Sequence, residues 1–225
     1  MVKKIIFGIL ILLIVVIGGF VIYVQLSWNK TYDIPYPDLQ ESTDSTVIER
    51  GRYLVHGPAH CSNCHVSSIE DMIATDRGDP IVLKGGVPFP LGPLGVLSPP
   101  NLTPDAKTGI GRYSDGQIFR MMRHGVRPSG ISTLPLLMPF WNMADEDLVA
   151  VVSYLRSMTP IENEVQPAEW TFIGKAVRVM VSSFQPIENP SPPTTAPLML
   201  PTINGGNTLH DTLQTVSVVI QNVIR

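Results

Sequence analysis

The chain has 225 residues, of which 44% are apolar and only 16% charged, with a formal net charge of −3. That length suits one or two domains. So small a net charge leaves no electrostatic footprint for a nucleic-acid partner.

The apolar excess starts at the N-terminus. "IIFGILILLIVVIGGFVIYV", residues 5–24, carries no charge. At about 1.5 Å per residue it spans roughly 30 Å, the thickness of a bilayer core. Lys3 and Lys4 precede it, so the positive-inside rule keeps that end in the cytoplasm and exports the rest. Tyr23 and Trp28 fall where amphipathic rings line the far interface. Residues 1–25 are therefore expected to form a single-pass anchor in the inner membrane, with a head on the periplasmic side. A cleaved signal peptide is the alternative; the run is long for one, and no A-x-A-like site follows.

Residues 26–45 are polar and hold Pro35 and Pro37. They read as a tether that, extended, reaches about 65 Å and lets the head swing. The head is expected over residues 46–160. Val47, Ile48, Tyr53 and Leu54 are spaced for a helix that "HGP" breaks. The stretch "LKGGVPFPLGPLGVLSPPNLTPDAKTGIG" is too rich in Gly and Pro for a long helix and poor for strand, so it reads as a wrapping loop. Ser114 and Gln117 make a capping box for a helix with Ile118, Met121 and Met122 on one face and Gly125 as its stop. "ADEDLVAVVSYLRSMTP" predicts the strongest helix of the head. Its first turn is acidic, Leu148, Val151, Val152 and Leu155 form a stripe, and Pro160 ends it. Residues 161–225 form a Pro-rich extension. It contains a short helix in "WTFIGKAVRVMVSSF" and a tail helix with Leu209, Leu213, Val216, Ile220 and Val223 on one face.

Charge is uneven. Lys107, Arg112, Arg120, Arg123 and Arg127 face only Asp115 between positions 107 and 127. Such a cluster is expected to steer an acidic partner, its ordinary alternative being a solvated face.

The chemistry lies in "CSNCH". The chain's only cysteines, Cys61 and Cys64, are followed directly by His65. C-x-x-C-H is the attachment motif of haem c. Two intervening residues let both sulfurs reach the two vinyl groups on one edge of a porphyrin, and the histidine then sits beneath the iron. Three other readings use the same residues. A zinc site would need ligands that wrap a tetrahedron, but His60 abuts Cys61 and no finger intervenes. A redox dithiol needs a βαβ context that the Gly/Pro-rich stretch does not offer. A disulfide here would close a very small loop and stabilise little. One haem c, bound through Cys61 and Cys64, is the expected cofactor.

The other axial position decides between carrying electrons and binding small ligands. Met138, in "STLPLLMPFWN" between Pro135 and Pro139, is held out of helix and is the first candidate. Met143 is the second. Met121 and Met122 suit core packing. His124 ends a helix and is placed to bond a haem propionate, while His56 and His60 precede the motif on the His65 side.

Three blocks, "RGRYLVHGPAHCSNCH", "NLTPDAKTGIGRYSDGQIFRMMRHGVRPSG" and "LMPFWNMADEDLVAVVSYLRSM", together resemble class I c-type cytochromes. The likeness is to the haem domains of bacterial alcohol and gluconate dehydrogenase cytochrome subunits. It runs from about Val47 to Pro160. It implies a mainly α-helical fold around one haem, with His65 and Met138 as axial ligands. It implies that the helix near Gly51 crosses the helix containing Tyr154, Gly51 permitting close approach. It also implies that residues 101–113 line the haem, with Asn101, Arg112 and Tyr113 at its polar edge. Those subunits typically carry three such motifs and this chain has one.

The expected function is a membrane-tethered one-electron carrier between a dehydrogenase or respiratory complex and an acceptor such as a terminal oxidase. No triad, phosphate loop or paired acid and base suggests catalysis. The alternatives are a fixed haem subunit of a larger membrane complex and a haem-based gas sensor.

Overall fold

The computed structural model describes residues 1–77, 79 and 81–193. The tail helix expected around Leu209 to Val223 lies outside them. Seven α-helices and three very short strands make up the described fold, which is mainly α as expected.

Helix α1 spans Val2–Ser27, and its apolar side chains are almost all exposed. Among the described residues it is the one helix long and apolar enough to cross a bilayer. At about 1.5 Å per residue it extends roughly 39 Å.

The head is built on the crossing of α2 (Ser45–His56) and α6 (Asp145–Ser157). Asp44 caps α2, its carboxylate accepting from the Thr46 and Val47 amides at 2.7 and 3.3 Å. Three acidic residues fill the first turn of α6. A Cβ at Gly51 would lie 1.9 Å from the Ala150 carbonyl oxygen, so only glycine lets the two backbones meet. The crossing implied for these helices is thus the observed one. Leu54 and Val55 of α2 and Leu148, Val151, Val152 and Leu155 of α6 are buried in one cluster with Ile118 and Phe119. Each such side chain contributes about 1.5–3 kcal/mol when fully buried. Two polar links pin the crossing. Arg50 meets the buried Asp147 at 2.5 Å, and His56 Nε2 lies 2.8 Å from the Tyr154 hydroxyl.

Helices α3 (Cys61–Cys64) and α4 (Ile69–Asp76) follow α2. Helix α5 (Asp115–His124) starts with the expected capping box of Ser114 and Gln117, and Gly125 ends it at φ +67°. Helix α7 (Phe172–Met180) is capped by Thr171.

Three sequence expectations change here. The Gly/Pro-rich loop carries strand: β1 (Phe89–Pro90), β2 (Gly95–Leu97) and β3 (Glu169–Trp170) form an antiparallel ribbon in that order. Its third strand comes from the C-terminal extension, a non-local pairing that local composition does not signal. Helix α4 was not legible in the sequence.

The third change concerns the tether. Residues 28–44 do not hang free but lie along the head. The Tyr32 amide donates to the Gly130 carbonyl at 2.8 Å, and Thr31 bridges Ile131. Ile34 is buried, Leu39 packs on the core, and the Ser42 amide donates to Ser153 Oγ at 2.8 Å. Polarity suggested a solvated linker. The backbone instead satisfies its hydrogen bonds against the head.

Candidate haem-attachment site

The motif is positioned by the end of α2. The chain turns at Gly57, and His60 adopts a left-handed conformation at φ +51° before α3 begins. One helical turn then separates Cys61 from Cys64, which places both side chains on the same face of α3. Cys61 is buried and Cys64 exposed. The His65 amide donates to the Cys61 carbonyl at 2.9 Å, so the histidine is locked to the same turn.

His65 is buried, and its Nδ1 lies 2.8 Å from the Pro100 carbonyl oxygen. A carbonyl only accepts, so Nδ1 carries the proton and the Nε2 lone pair is left for a metal. Burial pulls the His65 pKa down, opposed by the Pro100 hydrogen bond. The neutral imidazole is the form that coordinates iron. A second backbone link holds this geometry: the Gly85 amide donates to the His65 carbonyl at 3.0 Å.

The donor set fits a haem c better than its rivals. Burial, with Cys64 adding to it, pushes the Cys61 thiol up to about 12. A redox dithiol needs a thiol pulled the other way. Among the described residues no three His, Cys, Asp or Glu side chains converge as a ligand set for an ion such as zinc. A cleft of about 440 Å³ opens nearby between residues 85–98 and 163–169, lined by Gly85, Gly86, Asn163 and Val165. None of Cys61, Cys64, His65 and Met138 lines it, but Ser67 and the His65-bonded Gly85 do, so it borders the attachment turn.

Met138 lies on a loop with three local constraints. Leu134 is buried at φ +81°, Pro135–Leu137 form a 3₁₀ turn, and Phe140–Asn142 form another. Met138 is half-buried between the two turns. Met121, Met122, Met143 and Met158 pack against the core cluster, and Met138 lies outside it. The runner-up Met143 is thus engaged in packing.

Arg123 holds this loop. It is buried, and its Nη1 donates to the carbonyls of Trp141 at 2.7 Å and Met143 at 2.6 Å, while Nη2 pairs with Asp145. Sequence reasoning read Arg123 as a steering charge and missed this role.

One more member of the basic cluster is structural. Arg120 is buried and donates to the carbonyls of Ile34, Arg127 and Pro128, with its guanidinium 4.5 Å from the Tyr36 ring centroid. Lys107 pairs with Glu162 at 3.2 Å. Arg112 and Arg127 are the exposed members that remain. Arg112 stacks on Tyr113, 4.8 Å from its ring centroid, and Tyr113 packs against the core.

Asn101 makes its side-chain hydrogen bonds to the protein itself. It is buried, and its amide donates to Thr108 Oγ1 at 3.1 Å and the Ile161 carbonyl at 2.8 Å. Its Oδ1 accepts from the Thr103 amide and hydroxyl at 2.9 and 2.8 Å. Its amide is thus shared between Thr108 within the loop and Ile161 outside it, so Asn101 organises residues 101–108 and ties them to the segment after α6. His124 is likewise committed, its Nδ1 lying 2.8 Å from the Ile187 carbonyl oxygen.

No protein-family model matches the chain. Its relatives include one of the subunits of nicotinate dehydrogenase from Pseudomonas putida, 33% identical over 65% of this chain. They include the cytochrome c subunit of quinone-dependent alcohol dehydrogenase from Gluconacetobacter polyoxogenes, 31% identical over 51% of this chain. The gluconate 2-dehydrogenase cytochrome c subunit of Pantoea cypripedii is 31% identical over 54%. The chain resembles bacterial dehydrogenase cytochrome c subunits. It spans only 12% of the nicotinate dehydrogenase polypeptide and 25% of each of the other two. The likeness to these cytochrome c subunits therefore concerns a portion of each relative, about half of this chain.

Proposed function

We propose that this protein is a membrane-anchored electron-transfer protein that binds one haem c through Cys61 and Cys64, with His65 and Met138 as axial ligands. The observation that carries the reading is the attachment turn: two cysteines on one helical face, then a buried histidine whose Nδ1 is bound to the Pro100 carbonyl at 2.8 Å. Haem held there supplies a one-electron ferric/ferrous couple.

The chain's own residues do the rest. Pro100 fixes the ring plane and tautomer of His65. Arg123 ties down the loop that presents Met138. The α2–α6 crossing gives a rigid wall behind the attachment turn, so little rearranges when charge changes. Arg112 and Tyr113 would border the polar edge of the haem, the role the resemblance implies for them. Methionine as the distal ligand raises the reduction potential relative to histidine.

Donor and acceptor belong to this proposal. The relatives are subunits of dehydrogenases, which makes a dehydrogenase the proposed donor and a respiratory acceptor such as a terminal oxidase the proposed exit. A fixed haem subunit within a larger complex is the second reading. It is favoured by residues 28–44 lying on the head instead of forming a free tether. The exported protein, purified with its anchor from a host that matures c-type cytochromes, tests the core of the proposal. A haem that stays with the polypeptide in acidified organic solvent is covalently bound. A haem that extracts, or none, removes the reading.

A further inference from the structure

Helix α7 is inside out. Its buried positions are Gly174 and Arg178, and its large apolar side chains face outward: Phe172 is 38% exposed, Ile173 54% and Met180 66%. Phe172, Ala176 and Met180 lie four residues apart and Ile173 lies seven before Met180, so they share one stripe of the helix. A water-exposed helix would carry its polar residues there.

The helix cannot roll to hide the stripe. A Cβ at Gly174 would lie 2.0 Å from the Leu94 carbonyl oxygen, so α7 sits directly on the ribbon that carries β2. The Thr171 hydroxyl donates to the Pro93 carbonyl at 2.6 Å. Arg178 Nη2 donates to the Ser132 carbonyl at 3.2 Å, and its guanidinium lies 4.8 Å from the Trp170 ring centroid.

What covers the stripe is indicated by α1. The Phe20 and Phe172 rings meet edge to face with centroids 6.3 Å apart. Val24 is fully buried. Both Phe20 and Val24 belong to the charge-free run of residues 5–24. Higher up, Lys175 Nζ lies 3.2 Å from Gln25 Oε1 and 4.8 Å from the Trp28 ring centroid. Phe20 precedes Trp28 by about 12 Å along the helix axis. Phe172 thus sits at the depth of the apolar run, and Lys175 at the polar and aromatic level above it. That is the order of a helix lying in a membrane interface, with a lysine reaching up to the headgroups.

We propose that α7 is a second membrane element, an interfacial helix that inserts Phe172, Ile173 and Met180 into the outer leaflet beside α1 and fixes the head on the bilayer. The occupant of the stripe is lipid, because the stripe continues the lipid-facing surface of α1. The inference rests on α1 being a retained anchor. With α7 inserted and residues 28–44 docked, the attachment turn keeps one orientation to the membrane.

The test uses the full haem-loaded chain, one copy per phosphatidylethanolamine/phosphatidylglycerol nanodisc, with a photoactivatable carbene precursor on the lipid acyl chains and peptide mapping by mass spectrometry. Labelling within 172–180 as well as 5–24 is the expected result, with loss of the 172–180 label in an Ile173→Asp, Met180→Asp double variant that still carries haem. Labelling confined to 5–24 overturns the inference while the anchor stands, and also overturns it if a second protein is what covers α7. No labelling in either segment, with the protein recovered outside the discs, overturns the anchor reading beneath it.

Discussion

Arg123 is the residue on which the loop carrying Met138, the proposed second ligand, depends. Its guanidinium satisfies two carbonyls and an acidic side chain from a buried position. Arg123→Met leaves those carbonyls without donors and costs about 2–4 kcal/mol. It also loosens the presentation of Met138. The expected spectrum shows partial loss of the weak methionine-to-iron absorption band of the oxidised protein. A variant that loses stability but keeps the full band removes Arg123 from the positioning role and leaves it purely structural. His56 gives a second prediction at this scale. Burial pulls its pKa below the usual histidine value, so the unfolded chain binds a proton more readily than the folded one. Stability is therefore fully present above pH about 6.5 and falls as pH drops below that, levelling off once the folded pKa is passed. Denaturant midpoints measured between pH 5 and 7 should show this slope, and His56→Gln should flatten it. His65 would not contribute in the proposed holoprotein, since its Nε2 is the proposed ligand to iron.

At the scale of elements, the α2–α6 crossing is the frame that holds the attachment turn. Gly51→Ala places a methyl group against the Ala150 backbone, and neither backbone can yield cheaply. The expected cost is about 3 kcal/mol or more, read as a lowered denaturant midpoint and less haem-loaded protein. Unchanged stability would mean that the helices separate without penalty. The crossing was expected only from the resemblance to class I c-type cytochromes, whereas the α5 capping box and the Gly125 stop were legible in the sequence because each is written in a few adjacent residues. The attachment turn was legible for the same reason. The three-stranded ribbon and the double duty of Asn101 were not. Asn101 bonds Thr108 nearby but also Ile161, sixty positions away. Arg120 and Arg123 were misread because net charge along a segment does not say which side chains point inward. Both turn inward to serve carbonyls, and a buried guanidinium without local acidic partners leaves no local pattern.

For the whole molecule, the packing of residues 28–44 bears on the proposed carrier role. A head on a free linker would sample a wide arc. Here Arg120 bonds the Ile34 carbonyl at 3.2 Å and stacks on Tyr36, which fastens the segment to α5. Arg120→Met should release it. Limited proteolysis would then cut between residues 30 and 40 while the α2–α6 core stays intact, and resistance equal to the parent would show that the segment is held by other contacts. Steering by charge is also narrower than the sequence implied, since Arg120 and Arg123 are buried and the exposed Lys107 is paired with Glu162, which leaves Arg112 and Arg127 as the exposed bases without an ion pair among the described residues. Under the proposed function, a head held against residues 28–44 suits a docked partner better than a diffusing one.

The central claim is that one haem is held by His65 and Met138 with both axial positions filled. The most direct measurement is the optical spectrum of the purified holoprotein, oxidised and reduced, with and without carbon monoxide. The account predicts a low-spin c-type spectrum that the gas leaves unchanged, and a gas-sensitive spectrum in Met138→Ala. A high-spin or gas-shifted spectrum in the parent protein would contradict Met138 as ligand and move the protein to ligand binding.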